Sequence, residues 1–406
     1  MQQIPIQQHR ASRPFHMMIK PVGSACNLDC GYCYYQDKDA LLQQPGAKVM
    51  SPERLQRFTE QYLAAQPDGT PEVNFGWQGG EPTLAGLDFY RNAVKWQQHY
   101  NTRHLSISNA IQTNGSLLDD EWCHFFAEHN FLVGLSIDGP SELHDRQRPV
   151  KSGGSSFSQV RRAAQLLQQH QVEFNVLCVV TNVSLVDPIA VYNSIKQLGG
   201  RYIQFIPLVV PSPSSISVDE LYNFDQDAEC SVDAQGYGRF LSTIFDHWLE
   251  QDLGRVFVQQ FDELIGALLG QPSASCIHAP ACGRSLVIEN NLSVFSCDHL
   301  VYPPYQLNGL EQQSLAELVD GDQQQRFERL KIEQLPPNCN SCRFKPLCNG
   351  GCPIHQSGEG TARRNYLCRG YQDFFGHALP YCQAIVRCMQ QRLPLQHYRN
   401  FLDTSA

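Results

Sequence analysis

Short apolar segments alternate with longer amphipathic ones along the first half of the chain, and this alternation restricts the available folds. The apolar segments predict six β-strands, at residues 15–22, 73–77, 105–112, 131–137, 173–181 and 202–209. Helices are predicted between them, near residues 52–65, 85–100, 119–129, 155–170 and 187–198. Strands that alternate with helices form a parallel sheet with helices packed outside it. Six repeats are too few for a closed eight-stranded barrel, so the pattern indicates an α/β fold with an open, partial (β/α)6 barrel.

Glycines and polar residues follow the first four predicted strands. A cysteine loop follows the first strand, and the next three strands lead into residues 78–82, 113–115 and 138–140. In parallel α/β sheets, ligands bind at the carboxyl ends of the strands. We therefore predict that one ligand site gathers these motifs.

The loop after the first strand contains Cys26, Cys30 and Cys33 in a C-x3-C-x2-C pattern. Three thiolates on one short loop can hold three corners of a [4Fe–4S] cluster and leave the fourth iron without a protein ligand. Ordinary electron-transfer clusters take four cysteines. The open iron therefore suggests that something other than protein binds there. A zinc knuckle that lacks its fourth ligand, or three unrelated thiols, is the alternative.

A second group of cysteines lies near the C-terminus. It comprises eight residues, enough for two fully ligated four-cysteine clusters: Cys276, Cys282, Cys297, Cys339, Cys342, Cys348, Cys352 and Cys368. Structural zinc also accepts four thiolates, but it cannot pass electrons. Within this region, residues 285–289 and 292–297 predict a hairpin with Asn290 and Asn291 as a two-residue loop. Cys382 and Cys388 fall outside the pattern and have no assigned role.

Composition limits the class of protein. The 406-residue chain has room for one large and one smaller domain, and its formal net charge of −9 disfavours a nucleic-acid-binding surface. No secretory signal is recognisable in residues 1–20, and no apolar stretch reaches membrane-spanning length. We therefore expect a cytoplasmic protein without membrane or nucleic-acid partners. In a reducing compartment, 16 cysteines indicate metal or redox chemistry rather than disulfides.

Taken together, these motifs resemble the radical S-adenosylmethionine (SAM) superfamily with a cysteine-rich SPASM extension. Within that group the chain most resembles the anaerobic sulfatase-maturating enzymes, from about residue 15 to 370. The resemblance rests on residues 26–35, 77–83, 112–115, 136–140, 297–298 and 348–353. It implies a radical SAM partial barrel at 15–210, a linker and helical segment at 211–270, and a smaller SPASM domain with a β-hairpin and helices at 271–390.

The resemblance also implies the cofactors and their ligands. Three [4Fe–4S] clusters are expected, the first held by Cys26, Cys30 and Cys33 and completed by SAM. One auxiliary cluster takes Cys276, Cys282, Cys297 and Cys352; the other takes Cys339, Cys342, Cys348 and Cys368. The expected SAM contacts are Tyr32, Gly79, Gly80, Glu81, Ser136, Arg148 and Val209. Val209 departs from the leucine common in the family but keeps an apolar contact, and Asp298 matches the general base.

The implied reaction oxidises a serine or cysteine side chain of a sulfatase polypeptide to Cα-formylglycine. An electron from a flavodoxin- or ferredoxin-type donor cleaves SAM to a 5′-deoxyadenosyl radical, which removes a hydrogen from the side chain. Asp298 takes the remaining proton, and the second electron leaves through the nearer auxiliary cluster.

Two alternatives stay open at this point. Another radical SAM/SPASM enzyme that forms thioethers or crosslinks in peptides would share these motifs. Such relatives often carry an N-terminal peptide-binding domain, which the roughly 14 residues before the first predicted strand disfavour. A zinc-stabilised binding protein without catalysis would contain zinc and no iron. Neither the particular sulfatase, the serine or cysteine preference, nor the oligomeric state is predicted.

Overall fold

Two compact units make up the chain. The computed structural model describes residues 9–36, 38–42, 49–210, 231–357 and 364–402, so most of the linker predicted after residue 210 lies outside the described residues. The first unit comprises Met1–Ser136, Gln147–Phe174 and Arg284–Glu328. The second comprises Ile137–Arg146, Asn175–Gly283 and Arg329–Ala406.

All six predicted strands of the first half form, with small differences at their ends. They are β1 His16–Lys20, β2 Val73–Trp77, β3 Ile107–Thr113, β4 Phe131–Ser136, β5 Phe174–Val180 and β6 Tyr202–Pro207. Five further strands are β7 Phe257–Val258, β8 Ser285–Glu289, β9 Val294–Phe295, β10 Gln356–Ser357 and β11 Arg364–Asn365.

Helices occupy the predicted intervals between the strands. Those of the first 200 residues are α1 Lys38–Leu41, α2 Pro52–Ala65, α3 Leu87–Tyr100, α4 Asp120–Glu128, α5 Ser141–Gln147, α6 Ser156–Gln169 and α7 Pro188–Gln197. The later ones are α8 Ala234–Gln251, α9 Gln259–Leu268, α10 Leu315–Asp320, α11 Asp322–Glu333, α12 Lys345–Cys348 and α13 Cys368–Gln390. The short helix α5 is not predicted by the sequence pattern.

Local sequence explains why these helices begin where they do. Ser51 accepts a hydrogen bond from the Arg54 amide at 3.3 Å, and Pro52 occupies the first turn of α2. Asp119 and Ser155 cap α4 and α6 in the same way. These caps satisfy amide groups that the helix itself leaves without partners.

The strands pair in parallel within each unit, which confirms the predicted α/β class. In the first unit the order is β4-β3-β2-β1-β8-β9, and in the second β5, β6 and β7 lie side by side. Strand β8 pairs with β1 along its full length, from His16 opposite Ser285 to Lys20 opposite Glu289. The carboxyl ends of β1 and β8 therefore meet at one edge.

The predicted hairpin forms, but its two-residue loop is wrong. Ile288 pairs with Val294, which leaves the three residues 290–292 in the turn. Leu292 adopts a left-handed conformation with φ of 71°. Three-residue hairpin loops require one residue in that conformation, and the asparagine pair alone did not reveal which residue takes it.

Glycine contact allows the two longest helices of the second unit to pack closely. A Cβ atom on Gly370 of α13 would lie 1.9 Å from the carbonyl oxygen of Ala234, and one on Gly238 of α8 would lie 2.5 Å from that of Gly370. Beyond this contact, Phe245, Phe261 and Phe374 pack as an aromatic core. Across the described ranges, no helix is long and apolar enough to cross a bilayer.

Candidate active site

The three-cysteine loop begins directly after β1 and is fixed from two sides within the first unit. Asn114, at the end of β3, donates to the Asn27 side chain at 2.9 Å and to the Cys26 sulfur at 3.8 Å. The Leu28 amide also donates to Cys26 at 3.4 Å. On the other side, the Asp29 amide bonds to the carbonyl of Pro149 at 2.9 Å. Amide donors to a cluster sulfur are a known means of tuning its potential.

The paired glycines after β2 lie against the segment that leads into this loop. The Gly80 amide donates to Gly23 at 2.9 Å, and the Glu81 amide donates to Ala25 at 2.7 Å. A Cβ atom on Gly80 would lie 2.0 Å from the Ala25 carbonyl oxygen, and Gly79 has φ of 145°. Only glycine fits at both positions. The glycine pair and the cysteine loop therefore form one backbone structure.

Glu81 is buried, and its carboxylate binds inside the protein. It accepts hydrogen bonds from the side chains of Thr83 and Thr113, at 2.6 and 2.7 Å, and from the amide of Asn114 at 2.7 Å. Burial raises the pKa of this carboxyl, and these donors oppose the rise. Glu81 thus ties the end of β2 to the end of β3, which also places Asn114 beside Cys26.

Of the other predicted SAM contacts, two lie together. The Arg148 guanidinium lies 5.5 Å from the centre of the Tyr32 ring, and Arg148 is buried. Ser136 is buried at the end of β4 in the same unit. Val209 follows β6 in the second unit and is half-buried. No observation tests these assignments, and they stay predictions.

Asp298 lies in a buried network of charged and polar groups of the first unit. The Lys20 ammonium is 2.5 Å from its Oδ1 atom, and the Tyr34 hydroxyl donates to its Oδ2 atom at 2.6 Å. Lys20 is fully buried at the end of β1, and it also donates to the Gln78 side chain at 2.8 Å. The ammonium lies 4.4 Å from the centre of the Tyr35 ring.

This network keeps Asp298 ionised. Burial alone would raise the pKa of Asp298, but the positive charge of Lys20, aided by His299 and by hydrogen bonds from Lys20 and Tyr34, holds the pKa below its usual value. Burial, followed by the negative charge of Asp298, raises the pKa of Tyr34 well above 10. Asp298 is therefore an anion and Tyr34 a neutral donor at neutral pH, so the carboxylate is available to accept a proton.

Sequence reasoning missed several residues of this network. Lys20 was assigned only to a strand, although a lysine that ends an apolar strand one loop before the cysteines is the signal that could have identified it. Tyr35 bonds to the buried Glu289 carboxylate at the end of β8. That contact depends on the pairing of β8 with β1, which the pattern did not predict.

Three of the predicted auxiliary ligands are grouped in the second unit around a buried lysine. The Lys331 ammonium donates to the carbonyls of Cys276, Ile277 and Ala279, at 3.0, 2.8 and 2.5 Å. Burial, then the charges of Cys276 and Cys282, raise the pKa of Cys352 to about 12. These three thiols therefore lie within electrostatic range of one another. Cys297 is half-buried in the first unit, next to Asp298.

The other predicted auxiliary set also gathers within the second unit. Burial, then the charges of Cys368 and Cys339, raise the pKa of Cys348 to about 12. Cys342 in turn raises the pKa of both Cys339 and Cys368, after burial. All four are half-buried free thiols. The alternation of the two sets along the chain is thus reproduced by their grouping in space.

The two cysteines without an assigned role are structural. Cys382 and Cys388 are fully buried on α13, where a small apolar side chain packs well. Burial raises the pKa of Cys382 beyond the range in which a thiolate forms near neutral pH.

Comparison with known proteins agrees with this arrangement. Residues 21–195 match the model of the radical SAM superfamily, and residues 276–343 match that of the iron–sulfur cluster-binding SPASM domain. A serine-type anaerobic sulfatase-maturating enzyme of Bacteroides thetaiotaomicron is 39% identical over 97% of this chain and 97% of its own length. The chain belongs to the anaerobic sulfatase-maturating enzyme family. It is therefore a radical SAM enzyme with a SPASM domain, as predicted.

Both named branches of this sulfatase-maturating family are similar to the chain. A cysteine-type enzyme of Clostridium perfringens is 35% identical over 90% of this chain and 97% of its own length. The solved structure of anSMEcpe with bound AdoMet is 34% identical and superimposes with a TM-score of 0.82, covering 92% of this chain and 99% of that one. Another, of anSMEcpe with AdoMet and the Cp18Cys peptide, has the same score and coverage. The predicted fold is thereby confirmed.

Proposed function

We propose that this enzyme oxidises a serine or cysteine side chain of a sulfatase polypeptide to Cα-formylglycine. The observation that carries the proposal is the buried anion Asp298, held by Lys20 at 2.5 Å and by Tyr34 at 2.6 Å. Conversion of a –CH2–OH or –CH2–SH group to an aldehyde releases a hydroxyl or thiol proton, and an ionised carboxylate in a buried site is suited to take it. The serine- and cysteine-type relatives support the same reaction class.

The residues present fit iron–sulfur clusters and SAM. Cys26, Cys30 and Cys33 are free thiols on one loop, and the two distant sets are groups of thiols whose mutual repulsion a bound metal would relieve. We propose three [4Fe–4S] clusters with the ligands predicted from the sequence; the inclusion of Cys297 rests on the sequence alone. Bound together, the first cluster and SAM supply one-electron radical chemistry.

The protein's own groups position the reactants and move the proton. Gly79 and Gly80 leave room for a ligand to approach the backbone beside the cysteine loop. Lys20 and Tyr34 orient the Asp298 carboxylate, and burial of the network excludes competing water. Asp298 then accepts the hydroxyl or thiol proton of the substrate. The remaining electron requires a carrier, for which we propose a cytoplasmic flavodoxin- or ferredoxin-type protein.

An anaerobic peptide assay tests this proposal. The holoenzyme is incubated with SAM, a chemical reductant and matched peptides of the form Ser-x-(Ala/Pro)-x-Arg and Cys-x-(Ala/Pro)-x-Arg. We expect the mass change and hydrazine reactivity of an aldehyde in at least one peptide, with release of 5′-deoxyadenosine. SAM cleavage that leaves both peptides unmodified would contradict the proposed substrate and favour another peptide modification.

The variant Asp298→Asn separates the base from the radical chemistry. It keeps the shape of the side chain but cannot take the proton, so we expect SAM cleavage to persist while aldehyde formation falls at least about 100-fold. An Asp298→Asn enzyme with full aldehyde yield would remove Asp298 from the reaction. Metal analysis provides a second check, since three clusters require about twelve irons per chain, whereas zinc without iron would exclude the mechanism.

A further inference from the structure

The segment that carries the outer cysteine set, defined as Cys339, Cys342, Cys348 and Cys368, is basic in an acidic chain. Residues 337–372 contain five of the 31 lysines and arginines but only one of the 40 aspartates and glutamates. An even distribution would give this segment a negative charge. The local excess of positive charge therefore needs a specific reason.

The described cations of this segment surround the outer cysteine set. Lys345 lowers the pKa of Cys339 and donates to Asn340 at 3.2 Å, between the first two cysteines. Arg364 and Arg369 both lower the pKa of Cys368. Arg343 follows Cys342 directly. We call Arg343, Lys345, Arg364 and Arg369 the cationic rim.

Most of the cationic rim points to solvent. Arg343, Arg364 and Arg369 are exposed, and Lys345 is half-buried. The Arg343 guanidinium lies over the Phe344 ring at 4.5 Å, which fixes its direction. Arg369 forms an ion pair with Asp373 at 3.3 Å, but its side chain stays 65% exposed. Such an exposed pair contributes little to stability, so folding does not explain these arginines.

We propose that the cationic rim is the docking surface for a small acidic one-electron carrier protein. The inference rests on the proposed function, in which the outer cysteine set holds a redox cluster and an electron must leave the enzyme. A positive surface around a redox centre raises the encounter rate with an acidic carrier and orients it toward that centre. Four cations at four separate chain positions form a surface of protein size, not a pocket for a small anion.

Charge reversal of the three exposed arginines tests the proposal on the holoenzyme. The test variant is Arg343→Glu/Arg364→Glu/Arg369→Glu. The matched control is Arg91→Glu/Arg161→Glu/Arg326→Glu, which makes the same change in net charge at exposed arginines of the first unit. Binding to an immobilised acidic flavodoxin is measured anaerobically at several ionic strengths, together with the iron content of each protein.

We expect the unmodified enzyme to bind flavodoxin with an affinity that falls steeply as salt rises. At low salt the test variant should bind at least about tenfold more weakly and lose the salt dependence, whereas the control should change less than about threefold. Cytochrome c, a basic carrier, should bind the test variant better than the unmodified enzyme. Equal loss in both variants would show a net-charge effect only and would overturn the proposal.

A purely local role for the cations gives a different result. If they only offset the negative charge of the outer cysteine set, the variant should shift the midpoint potential of that cluster and leave flavodoxin binding unchanged, which would also overturn the proposal. If the reversed variant loses iron, Arg343→Gln/Arg369→Gln is measured instead and should weaken binding in the same direction. Aldehyde formation with a chemical reductant needs no carrier, so failure there would refute the proposed function and leave the docking result standing.

Discussion

Loss of the buried lysine next to Asp298 is the most informative perturbation of this enzyme. Lys20→Met keeps the length of the side chain but removes its charge. At 2.5 Å the attraction between the two groups is about 7 kcal/mol for an effective dielectric of about 20. Desolvation of both ions offsets part of this, and removal of one member of a buried pair typically costs about 3–5 kcal/mol. We expect Lys20→Met to lower the free energy of unfolding by that amount.

A double-mutant cycle measures the interaction. Lys20→Met, Asp298→Asn and the double variant are unfolded with denaturant under anaerobic conditions. Since the second change removes the stranded charge, the double variant should be at least about 2 kcal/mol more stable than the sum of the single effects predicts. Additive effects would refute the view that Lys20 and Asp298 act as a pair.

A second ion pair provides the matched control. The Lys196 ammonium lies at the same 2.5 Å from Asp252, but its side chain is 26% exposed. Water screens this pair, so Lys196→Met should cost about 1 kcal/mol or less. A cost equal to that of Lys20→Met would show that burial does not set the strength of the first pair.

Three further predictions follow from single contacts. Gly80→Ala places a methyl group 2.0 Å from a carbonyl and should cost about 3 kcal/mol and abolish SAM binding, whereas Gly31→Ala, with no atom within 4 Å, should change stability by less than about 0.5 kcal/mol in the same thermal and SAM-binding assays. Gly370→Ala should lower the melting temperature because it separates α8 from α13, but Gly376→Ala, with ordinary contacts at 3.6 Å, should add about 0.5–1 kcal/mol of helix stability; equal melting temperatures would contradict the glycine contact. In Tyr34→Phe a hydrogen bond to the ionised base is lost, so the pKa of that base rises and aldehyde formation should fail at a higher pH on the acidic side, with SAM cleavage unaffected; an unmoved acidic limb would exclude the hydrogen bond from the reaction.

The cluster loop and its supporting strands could be predicted because their signals are local. Apolar alternation marks each strand, the cap at Ser51 marks the start of α2, and the spacing of Cys26, Cys30 and Cys33 is itself a chemical constraint. The two asparagines of the hairpin misled because turn length depends on strand register, which the pairing of Ile288 with Val294 decides.

The role of Glu81 shows why local motifs do not reveal contacts. Its position after the glycine pair predicts a ligand contact, yet its carboxylate is engaged by Thr83, Thr113 and Asn114. Two of these partners lie more than 30 residues away along the chain. Only the lateral pairing of β2 with β3 brings them within hydrogen-bond distance.

The sequence by itself determined the chemistry of this protein: the residue types and spacings that fit iron, and the alternation that forms a parallel sheet. The tertiary structure decided which groups act together. Lys20 and Asp298 are 278 positions apart, and they meet at 2.5 Å because β8 pairs with β1 and brings both carboxyl ends to one edge. Ionisation of a buried carboxylate depends on such neighbours, because charge interactions act through space and not along the chain.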